Sequence, residues 1–566
     1  MGIPFALGFL HLLYAWACWL TLALAGAAAL ARGPGSPGLG PRGRAADGAG
    51  NGTARLSANR ERSGAAHLSA YLGRALPVLA VAAVAWPPLV RPLLDGDTLA
   101  YHLPSAALWA HDGSLWTNLG EAWWYPGGSE LLAAGLLTTA GVLSAGWCGA
   151  AALLLLGLRL SEWGEREGLA PWIAGAGAAA IAGSFVFAKQ AGALENDVVL
   201  AAFFCEVLWA GRFARGALAR SAAGCALLKP TGWIYAGTGL AVRRGAPWAA
   251  VAAFLPLGLW AVRDAWLWRS APRAPVSLGL DALFGSSLAG HGGEAVTTLA
   301  RALWVDGPVT AVLFAFGIVA IAGAADRGLR VAAAVGLLIF WFHPFGFNDA
   351  NPQLANGWSL RYAAPLLALG AVRALGLAAR VPVPTARAAG ILALVAGGFE
   401  VARIWGIYAN DATTHATWGV VLALVAVLAV PRQRFRALAT GTLGLALVAY
   451  SVVLAGSHPL DYYDEWLRPA PNPSRLFEWL AARRAPALLG WGLRVGSLVV
   501  ASPLSRVVEA GGGDPCAEAR RLGALLVVAT DDTVPPEDRA LQRARGRSCG
   551  TVLYDDGAAT VVQPAR

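Results

Sequence analysis

Two acids, Asp95 and Asp97, stand two residues apart in the stretch DGDTLAYHLP, directly after an apolar run. A carboxylate accepts hydrogen bonds from hydroxyl groups, and one held within reach of a reacting hydroxyl can take its proton. The chain continues through ALWAHDGSLW and EAWWYPGGSELL, so Tyr101, His102 and several tryptophans accompany the acids as far as Glu130. Aromatic rings stack on the apolar faces of sugars, and they also anchor chains at a membrane interface. A second polar group, AKQAGALENDVV, places Lys189, Gln190, Glu195, Asn196 and Asp197 between two apolar runs.

Basic residues complete the set. Of 44 basic residues only Lys189 and Lys229 are lysine, and both interrupt apolar sequence. A compact ammonium approaches a phosphate as a point charge, whereas the planar guanidinium grips it through two hydrogen bonds. Arg361 and Tyr362 close the polar stretch HPFGFNDANPQLANGWSLRYAAP, and Arg263 stands beside Asp264 in WAVRDAW.

The elements that must position these groups follow from composition. The chain has 566 residues, 57% hydrophobic and 14% charged. Its repeated apolar runs are long enough to cross a hydrocarbon layer of about 30 Å. We therefore expect an all-α polytopic membrane protein with about 12 full spans. The net charge of +10 comes from arginines gathered in short loops. That pattern sets membrane orientation and gives no reason to expect nucleic acid as a partner.

The apolar run from Gly2 to Leu30 reads as a retained span, and the arginine-rich loop 32–74 as cytoplasmic. The loops bearing Asp95, Asp97, Glu195 and Asp197 then lie outside, as do both termini. Residues 221–241 fit this topology as a hairpin of two half-spans broken at KPTG, residues 229–232.

Beyond Pro459 the pattern changes to an amphipathic SRLFEWLAARR and the strand-like runs SLVVASP, ALLVVAT, TVLYDD and ATVVQP. These predict a small extracytoplasmic α/β domain. The expected organisation is an N-terminal span and basic loop at 1–74, a catalytic membrane region at 75–458 and the outer domain at 459–566. Cys516 and Cys549 belong to that domain, in an oxidising compartment, and are expected to pair as a disulfide.

Other chemistries find no foothold. The eight histidines are scattered and no CxxC occurs, so no metal site is evident and no cofactor is expected. Phosphate-loop, dinucleotide and nucleophile-elbow patterns are absent from suitable contexts.

DTLAYHLPSAALWAHDGSLW, YPGGSELL, AKQAGALENDVVLAAFF, ALLKPTG and SLRYAAP, in this order, resemble the GT-C superfamily of membrane glycosyltransferases. The likeness is to bacterial members related to protein mannosyltransferases and lipid A aminoarabinose transferases, over residues 75–378. It implies transfer of a sugar from a polyprenyl phosphate to a glycan, lipid or protein acceptor on the outer face of the plasma or inner membrane, with inversion. Hexosyl and pentosyl donors both remain open. By matching position it implies Asp97 and Asp197 as the loop acids, with Asp95 the neighbour that could substitute. Lys229 and Arg361 would serve the carrier phosphate. Tyr101, His102, Glu130, Lys189, Glu195, Asn196, Arg263 and Tyr362 would line the substrate site. Asp112, outside the motif, is expected to be a bystander. A lipid or sugar transporter and a non-catalytic envelope scaffold are the alternatives that the residues leave open.

Overall fold

The computed structural model describes residues 68–86, 97–117, 126–210, 215–268, 287–343, 359–408 and 473–565, apart from positions 246, 291, 306–307, 325, 494, 504, 511–512, 530–535 and 558. Asp95, the run Gly2–Leu30, the basic loop as far as residue 67 and the apolar sequence at 409–458 lie outside the described residues.

The membrane region is helical. In chain order it comprises α1 (Leu68–Trp86), a π-helical turn (Thr98–His102) leading into α2 (Leu103–Asp112), α3 (Gly128–Ala140), α4 (Trp147–Arg166) and α5 (Pro171–Ala182). After these come α6 (Asp197–Ala210), α7 (Arg215–Ala226), α8 (Pro230–Val242), α9 (Pro247–Leu267), α10 (Gly292–Val305), α11 (Pro308–Gly323), α12 (Arg327–Trp341), α13 (Ala364–Ala378) and α14 (Val383–Tyr408).

Among the described residues four helices are long and apolar enough to cross a membrane: Leu68–Trp86, Ser144–Arg166, Pro247–Leu267 and Leu360–Ala378. That measure does not test the count of about twelve spans, because apolar runs such as Gly2–Leu30 and 409–458 lie outside the described residues and other apolar helices, such as Pro171–Ala182 and Val309–Gly323, are shorter. The first helix also starts at Leu68, inside the stretch read as loop. Leu68, Leu72 and Leu76 recur at helical spacing there, and the helix carries Arg74 with it.

Burial explains the arrangement. On α9, Val251, Leu255, Val262 and Trp266 form an exposed apolar face, while Ala249, Ala253, Trp260 and Arg263 on the opposite face are buried. An apolar stripe left exposed among the described residues suits contact with lipid tails. Helix α6, apolar apart from Asp197 and Glu206, packs among α4, α7 and α13 in the main core. The expected hairpin breaks where the sequence placed the break. Helices α7 and α8, of 12 and 13 residues, pack together and meet at Lys229, whose backbone is extended (φ −167°, ψ 166°) ahead of Pro230. Proline suits the first turn of a helix, where its missing N–H costs nothing. A Cβ at Gly232 would overlap the Cys225 carbonyl, so only glycine lets the two helix ends approach so closely.

The C-terminal α/β domain begins with α15 (Pro473–Arg483), as the amphipathic pattern predicts, and continues through β1 (Ala487–Trp491), α16 (Gly496–Ala501), β2 (Arg506–Glu509), α17 (Pro515–Leu522), β3 (Leu525–Ala529), α18 (Pro536–Arg547), β4 (Gly550–Asp555) and β5 (Ala559–Pro564). The sheet order is β2-β1-β3-β5-β4, with β1 parallel to β2 and β3, and β5 antiparallel to β3 and β4. Three strand readings hold, but SLVVASP is helix α16, and β1 and β2 were not anticipated. Val495, Leu498 and Val499 are all buried, at the spacing of one helix face, against Leu99 and Leu103 of the membrane region. Packing of that kind overrides a strand propensity whose whole scale spans about 1 kcal/mol.

Alternate side chains of the strands point to opposite faces. Leu488, Val507, Val527 and Val561 join the core shared with the π-turn and α2, whereas Leu489, Val508, Leu526 and Val562 pack toward Ala519 and Cys549. On that second side Cys516 and Cys549 are bonded as a disulfide, their Cα atoms 5.2 Å apart.

Candidate active site

Four separate segments deliver one ionic cluster. Asp97 caps the π-turn, Glu195 and Asp197 lie at the start of α6, Lys229 occupies the break between α7 and α8, and Arg361 sits in the turn Ser359–Ala363 ahead of α13. Arg361 donates through Nη1 to Glu195 and through Nη2 to Asp97, and again through Nη2 to the Tyr362 hydroxyl at 3.0 Å. Its Nε stands 3.8 Å from Asp197 Oδ2. Lys229 Nζ donates to the other oxygen of Asp197 and lies 5.4 Å from the centre of the Tyr362 ring.

The three acids differ in exposure. The Asp97 side chain is 35% exposed, whereas Glu195 and Asp197 are at 2% and 4%. Asp197 also stands in the first turn of α6, where the partial positive charge of the helix end favours an anion. Glu195 and Asp197 thus hold the two cations in place, and Asp97 is the most exposed of the three acids. Two cations facing three carboxylates leave the cluster formally one charge negative.

The loop before α6 is fixed by its own polar groups. Gln190 Oε1 accepts from Val198 N at 2.9 Å while its amide donates to the Val186 carbonyl, and Asn196 Nδ2 reaches the Leu228 carbonyl at 3.4 Å. Asn196, expected at the substrate, therefore ties the loop to the helix break. The Thr98 hydroxyl accepts from Leu194 N at 2.9 Å, joining this loop to the turn that carries Asp97. A Cβ at Gly149 of α4 would overlap the Gln190 carbonyl, so glycine lets α4 lie directly under the loop.

Beside the cluster is a second pair. His102 Nδ1 hydrogen-bonds Glu130, whose other oxygen accepts from Ser129 at 2.9 Å, and both His102 and Glu130 are buried. Tyr101 packs its ring against His102 at 4.2 Å and lies within electrostatic reach of Asp97, Arg361 and Glu130.

Two expected substrate contacts stand elsewhere. Arg263 is fully buried and donates to the carbonyls of Leu115 (2.6 Å) and Thr117 (2.9 Å) and to Asp264 (2.6 Å), with Trp260 under its guanidinium. It fastens span α9 to the turn after α2, because an arginine sealed in an apolar site must satisfy its donors locally. Lys189 is half-buried, its ammonium 5.3 Å from the Phe185 ring centre.

Sequence reasoning passed over His343, whose ring stacks on Tyr362 at 3.8 Å and 13°. Its place at the head of the polar stretch that ends in Arg361 and Tyr362 was the available signal. Asp112, expected to be a bystander, takes a two-pronged ion pair from Arg506, both contacts at 2.8 Å. Among the described residues no group of three or more His, Cys, Asp or Glu side chains is placed to hold a metal ion.

No family model matches the chain, and no curated protein matches it. Solved structures do. ArnT from Cupriavidus metallidurans bound to undecaprenyl phosphate aligns over 86% of this chain and 97% of its own, with 15% identity and a TM-score of 0.53. The chain shares the fold of that ArnT structure. The apo structure of the same ArnT covers 86% of this chain and 96% of its own at 14% identity and a TM-score of 0.49. The site's side chains are this chain's own and are argued from their geometry.

Proposed function

We propose that this membrane protein transfers a sugar from a polyprenyl-phosphate-linked donor to an acceptor on the outer face of the membrane, with inversion. One observation carries the reading: Arg361, buried and forked between Asp97 and Glu195, joins the most exposed acid of the site to its strongest anion-binding group. The GT-C fold, seen in a protein crystallised with undecaprenyl phosphate, supports the class of donor.

The chemistry follows from the charges. A glycosyl phosphate already carries a leaving group of low basicity, so no general acid is required. Incoming phosphate competes for Arg361 and Lys229, and the exposed Asp97 is the carboxylate it can displace. Asp97, released beside the anomeric carbon, accepts the proton of the acceptor hydroxyl as that oxygen bonds to carbon. The carbon–oxygen bond to phosphate breaks on the opposite face, and the two cations stabilise the charge that develops there. Glu195 and Asp197 keep those cations aimed. Tyr101 and the His102–Glu130 pair form the wall beside the acceptor.

The test is an Asp97→Asn variant in cells and purified membranes. Removal of a general base lowers transfer by on the order of 10²-fold or more. Binding of undecaprenyl phosphate is expected to persist. Mass spectrometry of envelope glycans and of polyprenyl-phosphate sugars reads both sides of the reaction, since an inactive enzyme leaves its donor to accumulate. Transfer at the wild-type level in Asp97→Asn refutes the assignment. Sealed vesicles that move the lipid-linked sugar across the membrane without consuming it favour the transporter instead.

A further inference from the structure

Helix α2 and the π-turn before it form one rod, with Asp97 at its start and Asp112 at its end. At the start, the rod is tied to the α6 loop through Thr98 and Leu194 and to Arg361 through Asp97. Near the end, Arg506 at the head of β2 grips both oxygens of Asp112 through Nε and Nη2, each at 2.8 Å, and the side chains are 25% and 21% exposed. Burial by itself raises the Asp112 carboxyl, but the hydrogen bond and charge of Arg506 hold it below the usual carboxylate range. Between the two ends, Leu99, Leu103 and Ala106 share one core with Val495, Leu498 and Val499 of the outer domain. Strand β2 and helix α16 both lie directly against the rod.

We propose that the Asp112–Arg506 clamp makes the outer domain part of the transfer machinery: it fixes the axial position of the rod and thereby the reach of Asp97 to Arg361. Asp112 and Arg506 are positioning residues that act through Asp97. A guanidinium fork on a carboxylate suits this role because it fixes direction as well as distance. The proposal rests on the transferase reading for its activity readout, so one measurement is chosen to be independent of it.

The experiment uses the full-length protein in lipid nanodiscs and in cells, with Arg506→Ala, Asp112→Ala and the exchanged pair Asp112→Arg/Arg506→Asp. Hydrogen exchange over residues 98–112 is expected to quicken at least tenfold in each single variant and to return toward wild type in the exchanged pair. Transferred sugar per unit of folded protein falls at least tenfold in the single variants and recovers in the exchanged pair, while the Kd for undecaprenyl phosphate stays within twofold. A residue that merely stabilised the domain would lower the yield of folded protein and leave transfer per folded molecule unchanged, and that result overturns the proposal. Unchanged exchange over 98–112 in Arg506→Ala overturns it too, whatever the reaction is. Failure of wild-type protein to transfer at all removes the transferase reading, and the exchange data then decide the clamp by themselves.

Discussion

Replacing Arg361 by lysine keeps the positive charge and removes the fork. In the structure Nη1 serves Glu195 while Nη2 serves Asp97 and the Tyr362 hydroxyl, so two carboxylates from different segments are held by one planar group. A single ammonium on a shorter reach keeps one of these charged hydrogen bonds and gives up the other. A hydrogen bond to a charged group contributes about 1.5–3 kcal/mol. If the forked geometry is what the transition state uses, the loss corresponds to about 10- to 150-fold in transfer, at 1.36 kcal/mol per decade. The assay is transfer per folded molecule in membranes of cells carrying Arg361→Lys, with folding checked by size exclusion and thermal unfolding. The Kd for undecaprenyl phosphate should rise by a similar factor, because phosphate loses the same bidentate partner. Transfer within twofold of wild type, with the Kd unchanged, would refute the claim that the fork matters and would reduce Arg361 to a counter-charge for Glu195.

Three further outcomes are expected. Asp197→Asn leaves Lys229 buried opposite a neutral amide, and breaking a buried ion pair costs about 3–5 kcal/mol. The variant should therefore lose thermal stability as well as transfer, and Asp197→Asn combined with Lys229→Met should regain the stability but not the activity. Reduction of the Cys516–Cys549 disulfide, or Cys549→Ser, should destabilise the C-terminal domain by about 3–4 kcal/mol on the chain-entropy account for its 33-residue separation, read by denaturant unfolding with intact mass reporting the bond. Because Asp112 titrates below its unfolded value of about 3.9, its pairing with Arg506 contributes stability that is fully present above that value and is lost as pH falls through the lower folded value. Exchange protection of α2 should accordingly hold at pH 5 and drop only in stronger acid, and in Arg506→Ala that acid-dependent step should be missing.

Much of the site was legible because its residues interrupt a monotonous background. Acids and lysines are conspicuous between apolar runs, and Asp97, Glu195, Asp197, Lys229 and Arg361 were all marked from sequence and are brought together. Their partnership was not legible. Arg361 is 166 positions from Glu195 and 264 from Asp97, so nothing local links them. Arg263 looked equally suitable as a phosphate ligand, and only its burial under the turn after α2 reveals that its donors are already engaged.

The same division runs through the whole molecule. Composition and apolar periodicity determined that the chain is helical and membrane-bound, that α7 and α8 part at Lys229–Pro230, and that an α/β domain follows, because each depends on residues within a turn or two of one another. Where a run could serve two purposes, tertiary packing decided. SLVVASP has the β-branched residues of a strand, yet it curls into α16 because Leu498 and Val499 are buried against the π-turn and α2. Asp112 stood outside the recognised motif, and its pairing with Arg506, 394 positions away, could not be read from the sequence. Side-chain pairing over such distances is set by which surfaces the fold buries together, and that information is not present in the spacing of residues along the chain.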